Sequence, residues 1–125
     1  MAEFIRSLGT KYSMYFNKKY KRVGHLFQGR YKAVNIANEN QFIYLSKYIH
    51  RNPLDILPTG TVLEGYKFSS YPHYLGRFNQ SWVNKEDILS YFSNQSSSES
   101  YKKFVEEIDE KDLFMIKNEL LDFDL

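Results

Sequence analysis

Tyr31-Lys32-Ala33-Val34-Asn35-Ile36 decides the fold class read from this chain. Its aromatic and β-branched residues, following a basic loop punctuated by Gly24 and Gly29, predict a short strand. Upstream, Phe4, Ile5, Leu8, Tyr12, Tyr15 and Phe16 recur at helical spacing and predict a basic amphipathic helix over 2–17. Downstream, Asn38 or Asn40 caps a helix in which Phe42, Leu45 and Ile49 form the buried line and Tyr44 and Tyr48 share a neighbouring face. An extended connection over 53–65 leads to a short capped helix, with Ser69 or Ser70 at its start and Gly76 at its end. Asn84-Lys85-Glu86-Asp87 opens another helix, running through Phe92. The polar run 93–98 reads as a linker, and Ser96 with Glu99 matches a capping box. Residues 99–125 read as an acidic helical hairpin, one stripe running Tyr101, Phe104, Val105, Ile108 and the other Leu113, Ile116, Leu120, Leu121. About five helices and one or two short strands make the expected class a helix-rich α+β fold.

With 125 residues, the chain fits one modest domain and is too short for two ordinary ones. The absence of cysteine excludes disulfides and thiolate metal sites and suits a reducing compartment. No apolar run approaches a membrane span and no leader-like segment opens the chain, so the expectation is a soluble, cytoplasmic protein. The net charge of +2 conceals two halves of opposite sign. Residues 1–51 hold ten Lys/Arg against Glu3 and Glu39, a net of +8, while the remainder nets −6. A basic half gains from counterion release on a polyanion, which makes nucleic acid a candidate partner. A solvated basic face beside an acidic tail would give the same numbers.

His25, His50 and His73 lack the spacing of a zinc pair. His25, in a glycine-flanked basic loop, suits phosphate contact or plain exposure, and His50 suits a backbone hydrogen bond or DNA. His73 reads as a helix-surface residue. No Ser-His-Asp arrangement, phosphate loop or carboxylate pair is present. Tyr48-Ile49-His50-Arg51-Asn52-Pro53 stands apart, because residues four apart share a helix face and would set a phenol beside an amide if the helix runs through both. A phenolate can attack a phosphodiester where a cation neutralises the developing charge. The plainer reading packs Tyr48 beside Tyr44.

Tyr12-Ser13-Met14-Tyr15-Phe16-Asn17, Gly24-His25-Leu26-Phe27-Gln28-Gly29-Arg30-Tyr31-Lys32-Ala33, the Tyr48–Pro53 stretch and Phe68-Ser69-Ser70-Tyr71 together resemble the later part of single-tyrosine HUH transposases, in particular the REP-associated tyrosine transposase group. The resemblance covers residues 3–92 and rests on four motifs in order. It implies a partial ferredoxin-like α+β transposase domain, commonly dimeric, that cuts and rejoins single-stranded DNA beside hairpins with a divalent metal, magnesium or manganese. It makes Tyr48 the catalytic nucleophile and Asn52 a metal ligand. Arg30 belongs to the family motif, while Lys18, Lys19, Lys21, Arg22, Lys32, Lys47 and Arg51 are candidate DNA contacts by charge and placement. The chain departs from the family in having no His-x-His pair, which in relatives supplies the two principal metal ligands. The expectation is therefore a C-terminal fragment, whether a truncated frame, half of a split enzyme or a designed piece, that the metal does not bind unaided.

Three functions follow as expectations. The first is a transposase-derived protein that binds single-stranded or hairpin DNA without autonomous catalysis. The second is half of a split transposase acting through Tyr48, with a histidine-bearing partner chain completing the metal site. The third is a helical protein-interaction module centred on the acidic end. A sheet edge left open by the missing strands would be covered by a homodimer or by the C-terminal helices.

Overall fold

The structure, a computed structural model, describes residues 1–29, 31, 33 and 35–107. The chain divides into two units, Met1–Asn35 and the residues from Ile36 onward.

In the first unit a single helix, α1 (Ala2–Tyr20), runs three residues beyond its expected end. It stops at Lys21, whose φ of 50° is left-handed, while the Arg22 N–H donates back to the Asn17 carbonyl at 2.9 Å. A non-glycine residue there costs about 1 kcal/mol. The Asn17 side-chain amide compensates by donating to the Gly24 carbonyl at 2.9 Å, which pins the following loop to the helix. Phe27 returns to Tyr12, their ring centroids 6.3 Å apart, and Phe16 and Tyr20 lie at 4.4 Å. None of the residues of α1 is buried.

The second unit opens at α2 (Glu39–Arg51). Asn38 is its cap: Oδ1 accepts the Gln41 N–H at 2.8 Å, and Gln41 Oε1 reaches back to accept the Ala37 N–H at 2.6 Å. This reciprocal pair fixes the entry to α2, and the described residues of 31–36 form no strand before it. The approach to α2 is already hydrogen-bonded as a helix entrance, and a lone strand has no ladder to join. Tyr31, Ala33, Asn35 and Ile36 are irregular and exposed, and there is no strand among the described residues. The α+β, ferredoxin-like expectation is thereby corrected to a helical fold.

Beyond α2 the chain tightens into a 3₁₀ turn at Asn52–Asp55 and another at Leu63–Gly65. Among the described residues three further helices follow, α3 (Tyr71–Tyr74), α4 (Glu86–Leu89) and α5 (Ser97–Glu106). Ser70 precedes α3 and Gly76, at φ 70°, closes the segment. The helix expected through Phe92 is only four residues long. Ser96 is the N-cap of α5, but its side chain makes no capping bond. Leu63, Tyr71, Tyr74, Ile88, Tyr101 and Val105 form the core, with Phe42, Phe92 and Phe104 half-buried against it. Residues 97–106 are thus part of the core of this unit, and the second helix expected of the acidic hairpin lies outside the described residues. No helix among the described residues is long and apolar enough to cross a membrane.

Candidate nucleic-acid interface

The helix runs unbroken from Tyr48 to Asn52. Asn52 has right-handed helical angles despite Pro53, and its N–H donates to the Tyr48 carbonyl. The spacing that sets phenol and amide one turn apart is therefore realised, with Tyr48 half-buried and Asn52 exposed. Asn52 lines a groove whose wall does not include Tyr48. Among the described residues no group of three or more His, Cys, Asp or Glu could hold a metal.

Three neighbours of Tyr48 are committed to the fold. Lys47, expected at a phosphate, is 3% exposed. Its ammonium donates to the Glu107 carbonyl at 2.7 Å and sits 4.7 Å from the Phe104 ring centre. Arg51 Nη1 donates to the carbonyls of Val105 at 2.7 Å and Glu106 at 3.4 Å. A helix leaves its last carbonyls without intrahelical donors and carries partial negative charge there. Lys47 and Arg51 supply both the donors and the countercharge for α5. The expected buried line is corrected accordingly: Gln41, Lys47 and His50 are the buried residues of α2, whereas Ile49 is 53% exposed.

His50 is buried and bonded to side chains, rather than to the expected backbone. Nδ1 lies 2.7 Å from the Tyr101 hydroxyl and Nε2 lies 2.9 Å from Ser70 Oγ. The Ser46 hydroxyl donates to the Ile43 carbonyl, so it can only accept from Tyr101. Tyr101 in turn accepts from His50 Nδ1–H, and Nε2 accepts from Ser70. The chain of bonds is complete with a neutral imidazole. Burial accordingly lowers the His50 pKa from 6.5 to about 4. Burial also raises the Tyr101 and Tyr71 phenols well above the ordinary value, and Tyr71 is further raised by donating to Glu106 Oε1 at 3.0 Å. His73, expected on the surface, is 2% exposed, and its Nδ1 accepts the Gln80 N–H at 3.0 Å.

The groove that contains Asn52 was not legible as a site. Its volume is about 720 Å³, and Ile49, Lys67, Phe68, Gln80 and Trp82 join Asn52 in its wall. Phe68 is 77% and Trp82 79% exposed. Phe68 belongs to the Phe68–Tyr71 motif, while an exposed tryptophan in a polar loop is the one signal that could have flagged the other wall.

In the first unit, Lys11, Lys18, Lys19, Lys21 and Arg22 are all exposed. Lys19 Nζ stands 5.7 Å from the Tyr15 ring centre and 5.5 Å from that of Tyr20, and the Arg22 guanidinium stands 5.7 Å from that of Phe16. Cations and aromatic faces therefore alternate along one end of α1. Lys18 and Lys19 also complement the helix dipole, but that effect falls off within the last turn. His25 is exposed in the loop that follows. Arg30 and Lys32 lie outside the described residues. Comparison with family models, with curated proteins and with solved structures yields no match.

Proposed function

We propose that this chain is a cytoplasmic DNA-binding protein related to transposases that cut and rejoin single-stranded DNA, and that α1 with the turn after it grips single-stranded or hairpin DNA. The observation that carries the reading is the exposure of Lys18, Lys19, Lys21 and Arg22 beside Tyr15, Tyr20 and the half-buried Phe16, on a helix that buries no side chain. Cations for phosphates next to rings for bases are what sequence-tolerant binding of single strands requires. The four motifs that resemble the transposase family support the same polymer as ligand. Nicking through Tyr48 would need metal-binding histidines from a partner chain, so the proposal gives this chain the DNA-holding role.

The test is the salt dependence of affinity for a single-stranded oligonucleotide. Four phosphate contacts give a slope of roughly −2.8 in log–log form, so affinity should fall roughly 50-fold between about 50 and 200 mM salt. Replacing Lys18, Lys19, Lys21 and Arg22 with Gln should flatten that slope by nearly three. Affinity indifferent to salt, or unchanged in the fourfold variant, overturns the proposal.

A further inference from the structure

The groove of the second unit combines three features that one ligand class satisfies together. The first is aromatic surface held in water. Phe68 and Trp82 each leave more than three-quarters of their area exposed, although large rings ordinarily supply burial. The second is charge of one sign: Lys67 is in the wall, its ammonium 5.0 Å from the Phe68 ring centre, and no carboxylate among the described residues lines the groove. The third is an unmet acceptor. Gln80 Oε1 is buried without a hydrogen-bond partner among the described residues, although the Gln80 backbone is fixed by His73. A buried acceptor left unpaired is costly, and a ligand that brings an N–H removes that cost once the Gln80 side chain turns out into the groove it lines.

An aliphatic ligand brings neither an N–H nor a negative charge, and a free phosphate makes no use of the rings. An unpaired nucleotide offers a π-face, an N–H edge and a phosphate on one small unit. We propose that this groove is a base-stacking subsite for single-stranded DNA. Phe68 and Trp82 supply its stacking surface, Lys67 meets the phosphate, and the Gln80 side chain turns out from its buried position so that Oε1 accepts an N–H from the base edge. The proposal rests on the DNA-binding function above and adds to it the place where a base is held.

Trp82 is the only tryptophan in the chain, so its emission reports on this groove alone. The full chain is titrated with oligothymidylate of roughly fifteen nucleotides, long enough for an ordinary single-strand site. A fluorescein-labelled copy gives total binding by anisotropy, and an unlabelled copy gives the Trp82 signal. The expected result is quenching of Trp82 in step with binding, and no quenching by an abasic strand of the same length. Phe68→Ala should weaken binding about tenfold, the ordinary worth of one stacked base, and Phe68→Tyr should restore it. Phe68 is largely exposed, so its truncation leaves the core intact, which circular dichroism verifies. Binding by anisotropy with unchanged Trp82 emission and a wild-type Phe68→Ala overturns the groove while leaving DNA binding in place. No anisotropy change overturns both.

Discussion

At the end of α1 and in the turn after it, Lys18, Lys19, Lys21 and Arg22 stand in water, whereas in α2 Lys47 and Arg51 are folded onto the end of α5. The aromatic residues divide in the same way. Tyr15 is 58% exposed on the first unit, and Tyr101 is fully buried in the second. Residue type is shared between the regions, so type alone does not decide role. What differs is whether a helix terminus or a neighbouring hydroxyl offers the polar group a partner inside the fold. In the second unit the carbonyls of Val105, Glu106 and Glu107 attract the cations and His50 takes the Tyr101 hydroxyl. Lys18, Lys19, Lys21 and Arg22 of the first unit remain available for a ligand.

The sharpest way to break this contrast is to remove one tyrosine from each region. Tyr101→Ala leaves a void where its ring meets Phe92 at 5.2 Å and Tyr74 at 5.2 Å, and it strands His50 Nδ1–H without its acceptor. A loss of about 3–5 kcal/mol is expected, enough to unfold a small unit. Tyr15→Ala should stay within about 0.5 kcal/mol, as exposed substitutions do. Denaturant titrations followed by circular dichroism measure both, and equal losses would erase the distinction between the regions.

Acid should act on the second unit next most strongly, through His50. Its folded-state pKa of about 4 lies below the unfolded value of 6.5, so between those pH values the unfolded chain binds the extra proton. The stability that neutral His50 confers is fully present above pH 6.5, declines as pH falls toward 4 and is lost below it. The span corresponds to about 3 kcal/mol. Unfolding free energies measured across that range should show the slope, and His50→Gln should remove it. A variant with the same slope would assign the pH dependence elsewhere.

Periodicity made α1 and α2 legible, and the Asn38 cap was one of two candidates that local chemistry allowed. Tyr31, Ala33, Asn35 and Ile36 form no strand because β-compatible content fixes no pairing, and no other segment among the described residues supplies a ladder. Helix spacing did place Tyr48 and Asn52 one turn apart, but it could not tell that only Asn52 reaches the groove. Lys47 and His50 were misplaced for one physical reason. Apolar patterning assigns polar residues to the surface, whereas these two are buried by specific acceptors, Glu107 and Tyr101, that are fifty or more residues away in sequence. The groove joins residues from α2, from the stretch around Phe68 and from the Trp82 loop, and such an assembly has no local signature.

Arg51 provides the smallest effect and the finest division between the two regions. By charge it belonged with the DNA contacts, but its guanidinium holds the Val105 and Glu106 carbonyls. Arg51→Gln should therefore cost about 1 kcal/mol of stability, a charge-assisted bond reduced by partial exposure, and leave affinity for single-stranded DNA and its salt slope as in the wild type. Glutaminyl replacement of Lys18 and Lys19 should do the reverse, flattening the salt slope while lowering stability only by the helix-dipole contribution, about 0.5 kcal/mol. Paired titrations of both variants, one in denaturant and one in DNA, distinguish the roles. A salt slope that falls in Arg51→Gln would mean that this cation serves helix and phosphate together, and that α2 belongs to the DNA-binding surface after all.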